Sequence, residues 1–275
     1  MTPELAHNLE HAEAQHLARQ VHEYARQHVG EGARTIDVAG GIAALTTAAF
    51  GRKLNHVTGF GLGAAASEDE LAALEAAYAG LGLATEIDIC PYIGADALQL
   101  LGARGYVVNA FSNTFVKTLR HGSTQTPPVS GVQIVGVNAD NAEVFFSACV
   151  AGFSVQTQQR PVALLEALAR VALARSDTRL YLALADGVVA GSAGLGLLDG
   201  IAHLYVASTL PHYRGRGIQQ ALLQARLEDA KREGCTLASI TARPSNVSAR
   251  NALRAGFELA YTKTTLVRGL QSRQA

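Results

Sequence analysis

The sequence predicts an α/β protein made of two related units, each with a mixed central sheet flanked by helices. Three observations carry this prediction: a meander of short strands in the second half, a change to helical periodicity after it, and a similar order of elements in the first half. The chain has 275 residues, a length that fits one large domain or two small ones.

In the first half, apolar periodicity predicts two helices with one strand between them. A glycine-aromatic pair and a closing strand come after the second helix. The predicted elements are a helix over 68–79, a strand over 85–90, a helix over 96–103 and a strand that includes 114–117.

In the second half, residues 181–209 form three short apolar runs separated by Asp186-Gly187 and Asp199-Gly200. Such dipeptides favour tight hairpin turns, so the runs predict an antiparallel meander. A strand-helix-strand crossover follows, so part of the sheet is predicted to be parallel. Ligands tend to bind where strand order changes in this way. The predicted elements are a helix over 218–233, a strand over 236–241, a helix over 248–255 and a strand over 258–267.

The two halves match at a constant offset: Gly105-Tyr106 corresponds to Gly256-Phe257, and Thr114–Lys117 corresponds to Thr265–Arg268. Residues 121–131 combine Gly, Ser, Thr and a Pro-Pro pair, the composition of a connector. The sequence thus predicts tandem domains over 1–125 and 130–275. The alternative is that two unrelated αβ segments share generic periodicity.

Charge and composition exclude several classes of partner. Lys plus Arg and Asp plus Glu number 23 each, so no net charge attracts a phosphate backbone or an anionic membrane. We expect neither nucleic acid nor a membrane as a partner. The N-terminus lacks a secretory apolar segment and the longest apolar run, 188–198, is too short to span a bilayer, so we expect a soluble, cytoplasmic protein.

The three cysteines, Cys90, Cys149 and Cys235, are widely spaced and odd in number. This pattern fits neither a disulfide framework nor a metal or redox pair, and it predicts buried thiols.

The most informative segment is 209–223, TLPHYRGRGIQQALL. A strand ends at Thr209, a turn contains two Arg-Gly pairs over 214–217, and a helix begins immediately afterwards. Several backbone N–H groups and the positive end of the helix dipole converge at such a turn, which suits a pyrophosphate. Ordinary helix capping is the alternative interpretation of the same residues.

The second half resembles the GNAT (Gcn5-related N-acetyltransferase) superfamily. The pyrophosphate motif of that family, R/Q-x-x-G-x-G/A after the fourth strand, fits at Arg214 and Gly217, and SNVSARNALRAGF over 245–257 supplies the later helix with its Gly-Phe pair. The resemblance covers about residues 132–268, and it extends to the first half only through the repeat. It implies tandem GNAT-like domains, with a degenerate N-terminal copy and a C-terminal copy that binds acetyl-CoA.

The resemblance implies an acetyl-CoA-dependent N-acetyltransferase in which acetyl-CoA is the cosubstrate and the acceptor is a primary amine of a small molecule or peptide. Backbone N–H groups around Ser208, Thr209 and Leu210 would hold pantetheine and stabilise the carbonyl oxygen. The expected cofactor-binding residues are Ser208, Thr209, Leu210, Arg214, Gly215, Arg216, Gly217, Ile218 and Asn246. Because no cysteine lies in a nucleophile setting, we expect direct attack in a ternary complex.

Two positions depart from the family pattern. Gln219 replaces the last Gly/Ala of the motif, and Ala252 stands where many relatives have a tyrosine that protonates the coenzyme A thiolate. A non-catalytic acyl-CoA-binding or regulatory module is therefore the alternative function. Substitute proton donors are Tyr205, Tyr213 and Tyr261, each of which packing also explains.

His203 is a candidate general base, because strand alternation predicts that it shares one face with Tyr205 and Ala207. A hydrogen-bonded histidine on the face of a sheet is the alternative. The catalytic residues are therefore left unassigned.

Two N-terminal motifs suggest other chemistry. Residues 61–66 satisfy G-x-G-x-x-A, with Glu86 and Asp88 on the next strand, which is a weak dinucleotide-binding pattern. Residues 7–11, HNLEH, match an inverted zinc-protease motif, but Leu5, Leu9 and their neighbours form the apolar stripe of a surface helix. We expect no metal.

Overall fold

The computed structural model describes residues 1–119, 129–154 and 160–269. Most of the predicted connector, 121–131, lies outside the described residues. In chain order the helices and strands are α1 (Pro3–Gln27), β1 (Arg34–Val38), β2 (Gly41–Leu45), β3 (Val57–Thr58), α2 (Glu68–Gly80), β4 (Thr85–Ile89), α3 (Ala95–Ala103), β5 (Val107–Thr118), β6 (Val132–Gly136), α4 (Ala142–Ser154), α5 (Val162–Ala174), β7 (Thr178–Ala185), β8 (Val188–Leu198), β9 (Ile201–Thr209), α6 (Ile218–Arg232), β10 (Leu237–Ala242), α7 (Val247–Arg254) and β11 (Glu258–Arg268).

These residues form two compact units. Unit 1 comprises Met1–Thr114, Ala242–Pro244 and Leu259–Ala275, and unit 2 comprises Phe115–Thr241 and Ser245–Glu258. The boundary falls within β5. Nearly all of β11 lies in unit 1, although it is the last strand of the second repeat along the chain and the sequence-based boundaries place it in the second domain.

The sheet of unit 1 is mixed, as predicted. Its strands follow the order β1-β2-β3-β4-β11, in which only β3 and β4 are parallel. Helix α1 packs on β2 through a small cluster of Ala14, Ala18 and Ile42. Thr58 is paired with Ile42 and therefore faces α1 as well.

Strand β11 joins unit 1 through polar as well as backbone contacts. Lys263 is fully buried, and its Nζ donates to Glu10 Oε1 at 2.7 Å and to Glu13 Oε2 at 2.8 Å. Both carboxylates come from α1. The register of β11 on β4 then places Thr265 beside Asp88, to whose Oδ1 it donates at 2.7 Å.

The sheet of unit 2 follows the order β10-β9-β8-β7-β6, in which only β10 and β9 are parallel. The predicted meander is β7-β8-β9. At its two turns Asp186 and Asp199 have φ of 53° and 46°, and each is followed by a positive-φ glycine, as tight hairpin turns require. Helices α4 and α5 bury Phe145 and Ala169 against Leu180 and Leu182 on one face of this sheet.

All three cysteines are buried, as predicted. Within the described residues, no helix is both long and apolar enough to cross a membrane.

Candidate active site at the end of strand β9

The turn that precedes α6 leaves the start of that helix open. Gly215 and Gly217 have φ of 79° and 77°, a left-handed conformation that glycine adopts without steric cost. Gly217 is the N-cap residue, and because glycine has no side chain it cannot accept a hydrogen bond from the first N–H groups of α6. No acidic residue lies in the first turn of this helix. The first N–H groups of the helix therefore have no capping side chain and are available to an anion.

Two arginines flank this turn. Arg214 is exposed, and Arg216 Nη2 donates to Asp186 Oδ2 at 2.6 Å on an exposed surface. The Arg216 guanidinium also lies 5.6 Å from the ring centroid of Tyr213. Because an exposed ion pair is weak, an incoming phosphate can compete for Arg216.

Val129 packs against the turn. A Cβ on Gly217 would lie 2.7 Å from a Val129 methyl group, so only glycine fits here without displacing that side chain. The C-terminal end of the predicted connector thus contacts the turn over 214–217, which we call the phosphate turn after its predicted ligand, and the sequence alone did not indicate this contact.

Gln219, the second residue of α6, carries a buried Oε1 that has no hydrogen-bond partner within the part of the chain that the structure describes. The protein leaves this acceptor without a donor at the end of the motif. The family motif has glycine or alanine at this position, neither of which has a polar side chain. The side-chain amide of Gln219 is therefore a departure of this chain from the family pattern.

Strand β9 contains an irregularity that the sequence did not predict. Ser208 pairs with Ser192, but Tyr205 pairs with Gly194, so β9 has one more residue in this interval than β8. Val206 lies in the bulge with φ of 48°, a conformation that β-branched residues rarely adopt.

The bulge corrects one prediction. Because Tyr205 and Ser208 face Gly194 and Ser192, they lie on the same side of the sheet as His203, and Ala207 does not continue the alternation. His203 Nδ1 lies 3.2 Å from Ser239 Oγ, which is the hydrogen bond expected of a sheet-face histidine. Its role as a general base stays a prediction.

Beyond the bulge, β9 separates from its parallel neighbour. Pairing between β9 and β10 runs from Ile201–Leu237 to His203–Ser239 and then stops, although β9 continues to Thr209. The backbone groups of β9 on that side are released from the ladder, so they can bind a ligand. This is the stretch in which Ser208, Thr209 and Leu210 were predicted to bind pantetheine.

The side chain of Ser208 is engaged inside unit 2. It is buried, and its Oγ lies 3.2 Å from Ser192 Oγ. Leu210 N donates to Ala190 O at 2.9 Å, so this amide is already paired. A contribution of Ser208 to cofactor binding would therefore come from its backbone.

Asn246 is the N-cap of α7. Its Oδ1 accepts a hydrogen bond from Ser248 N at 2.9 Å, and the residue is exposed. Because Oδ1 is engaged in this cap, the predicted contact of Asn246 with pantetheine would be made by its Nδ2 group.

Ala252, where many family members have the proton donor, is fully buried, and the three candidate substitute tyrosines lie in different environments. Tyr261 lies in unit 1, where its OH donates to Glu10 Oε1 at 2.7 Å. Burial raises the pKa of Tyr205 to about 12, so this phenol holds its proton too tightly to protonate a thiolate efficiently. Tyr213, half-buried beside Arg216, keeps access to solvent.

The corresponding turn of unit 1 is chemically different. Gly61 and Gly63 have positive φ, but α2 begins with a complete capping box in which Ser67 and Glu70 satisfy each other's backbone N–H groups. Glu68 and Asp69 add two more carboxylates to this turn. Negative charge already occupies the helix N-terminus, which therefore disfavours a phosphate.

The acidic residues of the dinucleotide pattern are also engaged. Arg52 pairs with Asp88 and, at 3.2 Å through Nε, with Glu86. Although burial opposes ionisation of Asp88, the charge of Arg52 lowers its pKa to about 2. Neither carboxylate is left to bind a ribose.

The histidines of the HNLEH motif, His7 and His11, stack with their ring centroids 6.5 Å apart on α1. Across residues 1–119, 129–154 and 160–269, no group of three or more His, Cys, Asp or Glu side chains could hold a metal ion.

Comparison with known proteins identifies the class of this site. Residues 146–257, which include β9, the phosphate turn and α6, match the model of the acetyltransferase (GNAT) family. No curated protein matches the chain.

Solved structures share the fold over both units. A GCN5-related N-acetyltransferase from Kribbella flavida aligns with a TM-score of 0.64 and 16% identity, over 94% of this chain and 95% of that chain. A second, from Sphaerobacter thermophilus, aligns with a TM-score of 0.59 and 14% identity, over 98% and 93%. A tandem GNAT protein from the clavulanic acid biosynthesis pathway gives 0.59 and 16%, over 84% and 78%.

Residues 146–257 therefore match the acetyltransferase (GNAT) family, and the fold of the chain is similar to that of solved N-acetyltransferases, among them a tandem GNAT protein.

Proposed function

We propose that this protein transfers an acetyl group from acetyl-CoA to a primary amine of a small molecule or peptide, by direct attack in a ternary complex. One observation carries the proposal: an uncapped helix N-terminus with two left-handed glycines directly follows a bulged strand that has separated from its parallel neighbour. That arrangement offers one binding region for a pyrophosphate and another for an extended amide chain.

Pyrophosphate binding is assigned to the turn. The N–H groups at the start of α6 would donate to phosphate oxygens, and the guanidinium groups would add charge-assisted hydrogen bonds. Left-handed glycines allow the backbone to approach the anion without a Cβ between them. The residues proposed for this part are Arg214, Gly215, Arg216, Gly217 and Ile218.

The pantetheine and thioester are assigned to the freed edge of β9. Backbone groups of Ser208 and Thr209, with Leu210 beside them and Asn246 at the start of α7, would align the thioester. A backbone N–H at this edge would stabilise the oxyanion that forms on the carbonyl.

The reaction needs no other reactant. The neutral amine nitrogen attacks the thioester carbon, the C–N bond forms, the oxyanion collapses and the C–S bond breaks. The amine loses a proton to a base, and the coenzyme A thiolate leaves and takes up a proton. Because a lysine-like amine has a pKa of about 10.4, it must be deprotonated before or during attack.

The cysteines do not suit an acetyl-cysteine intermediate. Burial raises the pKa of Cys149 to about 12 and that of Cys90 to about 11, so both remain thiols at neutral pH. Direct transfer therefore requires fewer assumptions than a covalent relay.

A second candidate function is a non-catalytic acyl-CoA-binding or regulatory module. The buried Ala252, which supplies no proton to a leaving thiolate, is the observation that favours it. Binding of acetyl-CoA is common to both functions, and turnover separates them.

The first experiment is a thermal-shift titration of the full chain with acetyl-CoA, free coenzyme A, NAD and zinc in parallel. A ligand that binds only the native state raises stability by RT ln(1 + [L]/Kd). Concentration-dependent stabilisation by acetyl-CoA supports the proposal, whereas a shift with NAD alone contradicts it.

The second experiment measures release of coenzyme A thiol with a panel of small amines, polyamines, amino acids and lysine peptides. Amine-dependent release establishes the transferase. Stabilisation by acetyl-CoA without release across the panel would establish the binding module instead.

A further inference from the structure

Arg226, in the middle of α6, is the largest of the fully buried side chains among the residues that the structure describes. Within the described part of the chain, no carboxylate forms an ion pair with it. Although burial lowers the pKa of Arg226 to about 10, the guanidinium stays protonated at neutral pH. A buried charge without a counter-ion is costly, so its hydrogen bonds indicate what it does.

The guanidinium bonds to two backbone carbonyls. Arg226 Nε donates to Leu222 O at 3.0 Å in the preceding turn of α6, and Nη1 donates to Gly194 O at 3.3 Å. The first bond anchors the side chain to its own helix. The second connects α6 to the sheet.

Gly194 is the residue of β8 that faces the bulge. It pairs with Tyr205, immediately before the register between β8 and β9 shifts. A Cβ on Gly194 would lie 2.9 Å from the Tyr205 ring, so the ring covers this glycine closely. At a bulge the ladder is locally disrupted, and Arg226 supplies a donor to the carbonyl at this point.

We propose that Arg226 is a positioning residue for acetyl transfer: by holding the Gly194 carbonyl it fixes the bulge of β9, whose backbone amides receive the thioester. The inference rests on the proposed function. Val206 keeps its unusual backbone conformation only if its surroundings enforce it, and the bond to Gly194 anchors the strand to which the bulge is paired.

The charge of Arg226 adds a second effect. Because no described carboxylate forms an ion pair with it, Arg226 places a positive charge in the interior beside the bulged strand. Negative charge that develops on the thioester oxygen is stabilised by such a fixed charge. Loss of Arg226 should therefore lower the rate of the chemical step more than the affinity for the cofactor, which the phosphate turn dominates.

The test compares Arg226→Met with Leu222→Met, a matched change at another fully buried position one turn earlier on α6. Three quantities are measured: the midpoint of thermal unfolding, amide hydrogen exchange over 203–209 in ligand-free protein, and kcat and KM for acetyl-CoA. Methionine keeps much of the length of the arginine side chain and removes a charge that is costly to bury, so we expect Arg226→Met to fold.

For Arg226→Met we expect exchange over 203–209 to rise about 10-fold and kcat to fall at least about 30-fold, with KM for acetyl-CoA within about threefold of wild type. Leu222→Met should leave all three near wild type. Wild-type exchange and kcat in Arg226→Met would overturn the proposal. Equal losses in Leu222→Met would overturn it too, because they would indicate general loosening of the core.

Arg226→Lys and Arg226→Gln keep the proposal falsifiable if the methionine variant does not fold. The lysine variant retains a charge and a donor, so its kcat should exceed that of the glutamine variant at similar stability, and equal values would refute the assigned role. If wild type neither binds acetyl-CoA nor releases thiol, the proposed function fails. Hydrogen exchange without ligand still decides whether Arg226 orders the bulge.

Discussion

Substitution of Gly217 by aspartate tests the phosphate turn directly. The change puts a carboxylate where the pyrophosphate is proposed to bind, and it puts a Cβ at a residue with φ of 77°. A non-glycine residue in the left-handed region costs about 1–2 kcal/mol, and the Val129 methyl group must also move. A negative charge at a helix N-terminus stabilises the folded protein by about 0.3–1 kcal/mol, which offsets part of this cost. We therefore expect destabilisation of only about 1 kcal/mol.

The effect on binding should be much larger. The carboxylate repels the phosphates and competes for the N–H groups of α6, so at least two charge-assisted hydrogen bonds are lost. At about 1.5 kcal/mol or more each, their loss weakens acetyl-CoA binding by at least about 100-fold. Affinity is measured by calorimetric titration, and stability by urea unfolding.

Gly234 provides the matched control at the other end of the same helix. It has φ of 78° and no neighbouring atom within 4 Å of a built Cβ. Gly234→Asp carries the same charge and similar backbone strain, but its carboxylate meets the negative end of the dipole, so it should destabilise slightly more and leave acetyl-CoA affinity unchanged. A folded Gly217→Asp protein whose affinity stays within threefold of wild type would refute the assignment of the turn.

Three further outcomes test the buried groups. Lys263→Met should destabilise unit 1 by about 3–5 kcal/mol because it leaves Glu10 buried without its cation, and adding Glu10→Leu should recover most of that loss in urea unfolding. The pKa of Asp88 is lowered to about 2, mainly by the charge of Arg52, so about 2 kcal/mol of stability present above pH 4 should disappear as the pH falls toward 2. Asp88→Asn should remove that part of the pH dependence. Cys149→Ala should keep kcat within about twofold, whereas loss of turnover in a folded variant would indicate a covalent relay.

The sequence predicted most of the local structure because turn chemistry and periodicity are local signals. Asp186-Gly187 and Asp199-Gly200 form the tight turns expected of them, and α6 begins directly after Gly217. The glycine turn over 214–217 and the helix start after it were also predictable, since these residues are contiguous in the chain, whereas its role in phosphate binding stays a prediction.

Partners distant in sequence were not predictable in the same way. Alternation in β11 shows that it is a strand but not which strand it pairs with, and it does not show that Lys263 reaches α1 when β11 pairs with β4. The bulge at Val206 interrupts a run that looks regular, because the extra residue is defined only relative to β8. The burial of Arg226 could have been predicted from the sequence. It lies four residues after Leu222 and eight after Ile218, on the buried face of α6.

The two repeats place a helix after corresponding strands, yet their helix N-termini differ in chemistry. Both strands have a parallel neighbour, β4 for β3 and β10 for β9, so the topology alone gives each unit the same opportunity to bind an anion. In unit 1 that opportunity is removed, because Ser67 and Glu70 satisfy the donors and three acidic residues fill the first turn. In unit 2 the first turn has no acid and no side-chain cap. Since a helix N-terminus carries only about half a positive charge, a single carboxylate there is enough to neutralise it. The difference in first-turn residues therefore supports the proposal that the acetyl-CoA phosphates bind to unit 2, without any difference in fold.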